Sequence, residues 1–282
     1  MHFRRSLGTL AFGVGLFAVG CGGSQGNAAA PTPPAPSASP APASSASATR
    51  RSAPPDTARY QSFVDAPDRD PEDKKLDAGR HPAELLAFFG IEPGMRVAEL
   101  GAGGGYTTEL LARAVGETGT VYGQNSELIL SRFAEKPWSA RLQKPVMKHV
   151  VRLDRPFDDP FPPEVKDLDA VVVILFYHDT VWQKVDRDRM NRAVFAALRS
   201  GGTYDIVDHS GRPGTGETET ETLHRIEEPA LRAEVEKAGF VLSAEGSFLR
   251  NPEDPRDWNA SPRVAGEKRG TSDRFVLVYE KP

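Results

Sequence analysis

Three glycines at alternate positions, Gly101, Gly103 and Gly105, constrain the fold of this chain more than any other feature. They follow a short apolar segment, Met95–Leu100, and precede a segment with helical spacing of its apolar residues, Thr107–Val115. Open α/β sheets bind ligands at such strand-to-helix turns, where glycine supplies positive φ angles and close backbone approach. The loop therefore predicts a ligand-binding α/β domain, although a glycine-rich turn with a purely structural role remains an alternative.

Strand-like and helix-like segments alternate on both sides of this loop. Asp169–Phe176 is a continuous apolar run, typical of a strand buried on both faces of a parallel sheet. The alternation predicts a doubly wound, mostly parallel seven-stranded sheet with helices on both faces, a Rossmann-like α/β fold. The predicted strands are 95–100, 120–123, 146–153, 169–176, 203–207, 240–244 and 275–280, and the predicted helices are 82–89, 107–115, 126–133, 182–198 and 229–238. The charged, proline-rich segment Tyr60–Asp77 is expected to be an ordered loop.

The spacing inside the glycine loop distinguishes between cofactors. A dinucleotide fingerprint, G-x-G-x-x-G, would require glycine at the positions of Tyr106 or Thr108. The chain instead has an acidic residue, Glu99, two positions before the first of the three glycines, with Ala102 between the first two. This pattern resembles motif I of the class I S-adenosylmethionine-dependent methyltransferases. A nicotinamide oxidoreductase is the weaker alternative, because Glu99 and Tyr106 both depart from its pattern.

The resemblance implies roles for particular residues in binding S-adenosylmethionine. Glu99 corresponds to the acidic residue that helps to hold the methionine amino end, and the loop through Tyr106 packs against the cofactor. At the end of the second strand, where the family usually has Asp or Glu for the ribose hydroxyls, this chain has Gln124 and Asn125. Neutral amides give weaker hydrogen bonds than a carboxylate. Asp154, after the third strand, corresponds to a residue that often contacts the adenine amine, although it is equally suited to capping a turn.

Further stretches narrow the resemblance to a bacterial group of exported or lipoprotein "predicted methyltransferases". These stretches are Arg80-His-Pro-Ala-Glu-Leu-Leu through the glycine loop, Phe176-Tyr-His-Asp179, Val207-Asp-His209, and the end that begins Arg269-Gly-Thr-Ser-Asp-Arg. The resemblance covers residues 60–282, and it implies no particular methyl acceptor.

Polar residues collect where the fourth and fifth predicted strands end. Tyr177, His178 and Asp179 follow the fourth strand, and Asp208 and His209 follow the fifth. In the usual strand order these two ends are neighbours. Because imidazole titrates near neutral pH, His178 or His209 is expected to be a general base, with Tyr177 and Asp179 beside it.

Other roles for these residues remain open. Asp179 is also suited to capping a helix, and Asp208 and His209 to local hydrogen bonds in a loop. With His224, the histidines and aspartates are also of the types that bind metals. Spacing along the chain does not fix a ligand geometry, so the sequence favours acid–base chemistry and predicts no metal site. The long segments Gly211–Thr222 and Asn251–Asp273 are expected to cover the substrate.

The first residues are typical of an export signal. A short basic start precedes an uncharged apolar run, Leu7–Val19, which is too short to span a bilayer as a helix. It ends at Ala18-Val19-Gly20-Cys21, which resembles a lipobox, and Cys21 is the only cysteine. We expect a lipoprotein signal over 1–21, a disordered Ala/Pro/Ser-rich linker over 22–55 and the methyltransferase domain over 56–282. A plain secretory signal or an uncleaved anchor is the alternative.

The balance of charge helps to define the partners. With 35 basic and 39 acidic residues, the net charge of −4 does not indicate a nucleic-acid surface. The sequence therefore predicts an exported, membrane-tethered enzyme, on the periplasmic face of a membrane or on the outer membrane, that methylates an unknown acceptor. A non-catalytic domain that binds a small ligand with the same fold is the alternative, favoured by the neutral residues Gln124 and Asn125.

Overall fold

The computed structural model describes residues 57–282. The expected signal segment, with Cys21, and the expected linker lie outside the described residues. Within residues 57–282, no helix is both long and apolar enough to cross a membrane.

A seven-stranded sheet forms the centre of the described domain. The strands are β1 (Arg96–Leu100), β2 (Thr120–Asn125), β3 (Val150–Asp154), β4 (Leu168–Ile174), β5 (Leu198–His209), β6 (Val241–Gly246) and β7 (Arg274–Glu280). Their spatial order is β3-β2-β1-β4-β5-β7-β6. Strand β7 is antiparallel to both of its neighbours, and all other pairs are parallel. The predicted doubly wound, mostly parallel sheet is thereby confirmed.

Nine α-helices accompany the strands within residues 57–282. They are α1 (Ala58–Val64), α2 (Pro71–Arg80), α3 (Pro82–Phe89), α4 (Tyr106–Val115), α5 (Glu127–Ile129), α6 (Glu135–Arg141), α7 (Tyr177–Trp182), α8 (Arg187–Ala197) and α9 (Glu228–Lys237). A π-helical turn, Leu130–Ala134, joins α5 to α6. Short 3-10 turns occupy Pro145–Met147 and Gly266–Lys268.

The prediction that Tyr60–Asp77 forms an ordered loop is wrong, because the segment lies mostly in helices α1 and α2. Helix α2 begins with strong local signals: the Asp70 side chain accepts a hydrogen bond from the Glu72 N–H, and Pro71 is the first helical residue. Its residues include none that is fully buried. The helix is held by ion pairs instead, and a search for apolar periodicity does not detect such a helix.

The prediction of a single helix over residues 182–198 is also wrong, because α7 ends at Trp182 and α8 begins only at Arg187. Helix α7 ends at Trp182, Lys184 has a φ angle of +58°, and Asp186 caps α8 by accepting a hydrogen bond from the Arg189 N–H. The interruption lets Tyr177–Trp182 begin directly at the end of β4. Three of the four predicted catalytic residues, Tyr177, His178 and Asp179, therefore lie in the first turn of α7, whereas His209 ends β5.

Strands β1 and β4, in the middle of the sheet, are buried on both faces. Ala170, Val171, Val172 and Val173 are each at most 2% exposed, as a strand covered on both faces requires. Burial of a side chain of this size stabilises the fold by roughly 1.5–3 kcal/mol. This rigid centre fixes the carboxyl ends of β1, β4 and β5, where the candidate site lies.

Candidate functional site

The glycine loop connects β1 to α4 and needs glycine at each of its three alternate positions. The φ angles are +72° at Gly101, +55° at Gly103 and +83° at Gly105, a region that favours glycine. A Cβ atom on Gly101 would lie 2.6 Å from the Phe176 ring, and one on Gly105 would lie 2.5 Å from the Trp138 ring. A Cβ atom on Gly103 would meet only the Gly101 carbonyl oxygen, 4.0 Å away. The first and third glycines therefore allow close packing, and the middle one faces open space.

Two buried amides at the end of β2 hold this loop. The Gly101 N–H donates to Gln124 Oε1 at 3.2 Å, and the Gly103 N–H donates to Asn125 Oδ1 at 2.8 Å. Asn125 Nδ2 donates in return to the Gly103 carbonyl at 3.1 Å. Both amide side chains are fully buried. Backbone groups of the loop and of Arg155 occupy these two amides in the structure, and their contact with a ribose stays a prediction.

Asp154 lies at the other edge of this region, at the end of β3 and paired with Asn125 in the sheet register. Its side chain is 47% exposed and accepts a hydrogen bond from Arg152 Nε at 2.8 Å. Glu127, the first residue of α5, is also exposed. The accessible acidic groups of this region are thus Glu127, which follows β2, and Asp154, which ends β3. A contact between Asp154 and adenine stays a prediction.

Glu99 is 3% exposed and lies beneath the loop at the end of β1. Its carboxylate accepts a hydrogen bond from the Thr108 hydroxyl in the first turn of α4. Burial raises the pKa of Glu99 to about 7, against the opposing effect of the Thr107 and Thr108 hydroxyls and of nearby arginines. A nearby cation would favour ionisation of this buried carboxyl group.

Tyr106 joins the loop to helix α2. Its hydroxyl donates to Asp77 Oδ1 at 2.6 Å, and the Arg80 guanidinium lies 4.4 Å from the centre of its ring. Arg69 is 3% exposed and forms a two-bond ion pair with Asp77, at 2.7 and 2.9 Å. Helix α2 is thereby fixed over the start of α4 by polar contacts that apolar spacing does not reveal.

Tyr177 is fully buried, and its hydroxyl lies between α8 and α9. Its hydroxyl donates to Glu234 Oε2 of α9 and accepts from Asn191 Nδ2 of α8, both at 2.8 Å. The structure does not bring Tyr177 to the other predicted catalytic residues, because these polar partners hold it between two helices.

His178 is buried between two carboxylates. Its Nδ1 atom lies 2.6 Å from Asp208 Oδ1, and its Nε2 atom lies 3.3 Å from Asp179 Oδ1. Burial lowers the pKa of His178, but the two carboxylates outweigh this effect and raise it to about 10. The same histidine, with Trp182, holds the pKa of Asp179 far below its usual range despite burial. With no metal bound, a ring that is protonated on both nitrogens cannot accept a further proton, which argues against the general-base role expected for His178.

His209 is the one predicted catalytic residue that lines a cleft. Its Nδ1 atom lies 2.7 Å from the Ser272 hydroxyl, and burial lowers the pKa of the ring well below its usual value. The cleft has a volume of about 290 Å³ and lies between α2, the ends of β4 and β5, and the long loop before β7. Its charged lining is mainly basic: Lys75, Arg80, Arg269 and Arg274, with Glu72 as the acidic residue.

The sequence does not predict that these arginines share one cleft: Arg80, beside His81, is a candidate to close over the cofactor, and Arg269 and Arg274 enter only through the family resemblance. Within residues 57–282, neither Arg80 nor Arg274 forms an ion pair with a carboxylate; Arg274 donates instead to the carbonyls of Gly270 and Ser272. Burial, followed by the charge of Arg80, lowers the pKa of Arg274 to about 10. Crowded, partly desolvated guanidinium groups favour an anionic ligand. Arginines that are scattered along the chain form no sequence motif that would predict such a cleft.

Comparison with known proteins adds independent support. The family model of protein-L-isoaspartate(D-aspartate) O-methyltransferases matches residues 46–144, which include the glycine loop and β2. The sequence has no significant match among curated proteins. A SAM-dependent methyltransferase from Aquifex aeolicus has a similar structure, with a TM-score of 0.54 at 17% identity over 80% of this chain and 99% of its own.

Two further solved structures show how widely the fold is used. An arsenic(III) S-adenosylmethionine methyltransferase from Chlamydomonas reinhardtii has a TM-score of 0.50 at 16% identity over 80% of this chain and 73% of its own. The cyclase SpnF has a TM-score of 0.52 at 17% identity over 73% of this chain and 82% of its own. At these identities the structural likeness establishes the fold alone. That fold is the one of the class I S-adenosylmethionine-dependent methyltransferases, and the matched family model, which covers residues 46–144, agrees with it.

Proposed function

We propose that this protein transfers a methyl group from S-adenosylmethionine to an acceptor that carries an anionic group, outside the cytoplasm and tethered to a membrane. The single observation that carries the methyl-transfer part is the loop itself. Gly103 faces open space, and the buried carboxyl group of Glu99, two residues before the loop, accepts a hydrogen bond from Thr108 just after it.

The residues present fit the cofactor at its methionine end. When bound, S-adenosylmethionine supplies an electrophilic methyl group on a positively charged sulfur. The Glu99 carboxylate would favour the cofactor's ammonium group, and Arg80, which stacks on Tyr106, would favour its carboxylate. The ribose end fits through Glu127 or Asp154, because Gln124 and Asn125 are committed to the loop.

The basic cleft supports the anionic acceptor. Arg269 and Arg274 line it together with His209, and Arg80 separates it from the space beside Tyr106 and Thr107. An oxyanion acceptor attacks a methyl group directly, with no proton to remove, so the protein needs mainly to position it. This agrees with the enclosed state of His178, whose two ring nitrogens already have partners.

The description of the matched family also favours an anionic acceptor. It describes O-methyltransferases that act on isoaspartate, a residue that bears a carboxyl group. The match ends at residue 144, before β4, β5 and the long loop that line most of the cleft. The choice of an anionic acceptor for this chain therefore rests on the arginines.

The location is proposed from the sequence alone. The apolar run Leu7–Val19 followed by Cys21 supports export and lipidation, and the Ala/Pro/Ser-rich residues 22–55 would separate the enzyme from the membrane.

Substitution of Gly103 tests cofactor binding. Gly103→Asn should lower the affinity for S-adenosylmethionine by at least about tenfold, a loss of about 1.4 kcal/mol, because the side chain enters the open space above the loop. Gly90→Asn is the matched control: Gly90 has a φ angle of +67° and equally open surroundings, but it ends α3. Isothermal titration calorimetry measures both.

A wild-type protein that binds neither S-adenosylmethionine nor S-adenosylhomocysteine at sub-millimolar concentrations would refute the proposal. Binding without methyl transfer to any carboxylate-bearing acceptor would favour the non-catalytic binding domain. An equal loss of affinity in Gly103→Asn and Gly90→Asn would show that strain, rather than intrusion into the site, causes the effect.

The raised pKa of Glu99 predicts a pH dependence of binding. If only the ionised carboxyl group pairs with the ligand's ammonium, a pKa of about 7 makes the affinity for S-adenosylhomocysteine about tenfold higher at pH 8 than at pH 6. Glu99→Gln should bind more weakly at pH 8 and should lose most of this dependence. An unchanged pH profile in Glu99→Gln would contradict the role of Glu99.

Charge removal in the cleft tests the acceptor class. Arg269→Gln should weaken the binding of inorganic phosphate, used as an anionic probe, by about fivefold, since one cation of the cleft is lost. Arg263→Gln removes the same charge from the same loop, but Arg263 lies over the Phe133 ring and outside the cleft. Equal phosphate affinities in the two variants, measured by calorimetry, would argue against an anion site.

Labelling tests the anchor. A radioactive fatty acid fed to expressing cells should label the wild-type protein, and Cys21→Ser should lose the label and leave the membrane fraction. Labelling that persists in Cys21→Ser would show that the anchor lies elsewhere.

A further inference from the structure

Three potential metal ligands converge beside the cleft: Nε2 of His178, Oδ1 of Asp179 and Nδ1 of His224. We propose that these three side chains bind one divalent transition-metal ion of the zinc type, with at least one coordination position left for water or another ligand. His178 and Asp179 begin α7, whereas His224 comes from the segment after β5. The fold thus brings together ligands from two separate parts of the chain.

The distances between the three atoms match a coordination sphere. His178 Nε2 lies 3.2 Å from His224 Nδ1 and 3.3 Å from Asp179 Oδ1, and these last two atoms are 3.1 Å apart. Zn²⁺ bonds to nitrogen and oxygen are about 2.0–2.2 Å long, so two ligand atoms of a tetrahedral site lie about 3.3–3.5 Å apart. The nearly equilateral triangle is slightly smaller than one face of such a tetrahedron.

Partners beyond these atoms orient the ligands as they do in metal sites. Asp208 Oδ1 lies 2.6 Å from Nδ1 of His178, the nitrogen opposite the proposed ligand atom, and Asp208 Oδ2 accepts from the His178 backbone N–H at 2.7 Å. Ligating histidines commonly pair their second nitrogen with a carboxylate in this way. Trp182 Nε1 donates to Asp179 Oδ1 at 2.7 Å and fixes that carboxylate, whose oxygen has a second lone pair for a metal.

His224 is held in place at a cost in backbone energy. Its φ angle is +52°, a left-handed conformation that is strained for a residue other than glycine. The next residue, Arg225, is fully buried and pairs with Asp254 at 2.9 Å, and the Leu223 carbonyl accepts from the Ala260 N–H. The long loop before β7 thus anchors both sides of His224 and presents its ring to His178.

The site is accessible from one side. The side chain of His178 is 2% exposed, whereas those of Asp179 and His224 are 18% and 23% exposed. The His178 ring centre lies 5.7 Å from that of His209, which lines the basic cleft, so the proposed ion lies next to the acceptor side of the domain. This proposal departs from the sequence prediction of no metal, because the approach of His224 is visible only in the folded chain.

Metal content and direct titration test the proposal without cofactor or acceptor, so the result does not depend on the proposed methyl transfer. Full-length protein, freed of metal by a chelator and then dialysed against Zn²⁺, should retain one equivalent by mass spectrometry. With Co²⁺ as a probe, the visible absorption of a low-symmetry site should appear and saturate at one equivalent. His224→Ala should lower Zn²⁺ affinity at least about 100-fold.

His81→Ala is the matched control, since His81 also has a left-handed φ angle, +48°, and lies 3.5 Å from a carboxylate, that of Glu84, but has no second histidine. It should bind Zn²⁺ as the wild type does. Asp208→Asn should weaken binding by about 10–100-fold, the effect typical of losing an orienting carboxylate. If wild-type protein retains less than half an equivalent, or if His224→Ala and His81→Ala bind Zn²⁺ equally, the proposal is overturned, whether or not the variants fold as the wild type does.

Discussion

The hydrogen bonds between the glycine loop and the two amides at the end of β2 are the constraint on which this domain depends. A loop with three left-handed glycines has little conformational preference of its own. Gln124 and Asn125 remove that freedom, because they occupy the Gly101 and Gly103 N–H groups from the neighbouring strand. The indole of Trp138 then packs where side chains on Gly105 or Gly123 would lie. Loop, strand and helix α6 form one rigid unit at the carboxyl edge of the sheet.

This arrangement explains the departure from the acidic residue expected at the end of β2. An exposed carboxylate there would bind ribose, whereas a buried amide can both donate to and accept from the loop backbone. Asn125 does both with Gly103. The residue at this position thus fixes the shape of the loop. The accessible acidic residues, Glu127 and Asp154, come later in the chain. A buried carboxylate at position 125 could accept from the Gly103 N–H but could not donate to its carbonyl without holding a proton.

The sheet and the loop could be predicted from sequence because they follow local rules. Apolar runs mark the strands, and glycine spacing marks the turn. Helix α2 was missed because it is fixed by charge, through Arg69, Asp77 and Asp73, rather than by an apolar face. Tyr177 was expected beside His178 and Asp179 at the edge of the sheet. It lies elsewhere because successive side chains in the first turn of a helix point to different sides. The role of Arg274 and the approach of His224 depend on the long loop, whose path no periodicity specifies.

Asp208 shows how a single buried carboxylate connects these levels. It pairs with Phe275 one residue before the end of β5, and its oxygens accept the N–H groups of both His178 and His209 while facing the His178 ring. A fully buried charge of this kind is tolerated only when it is fully hydrogen-bonded. The Asp208 oxygens orient the His178 ring and also accept its backbone N–H at the start of α7. The direction of His178 Nε2 is therefore set by the sheet and not by a flexible loop. The two faces of the site therefore have different origins: α7 and β5 supply His178, Asp179 and Asp208, whereas the segment after β5 supplies His224 and the long loop before β7 supplies Arg269.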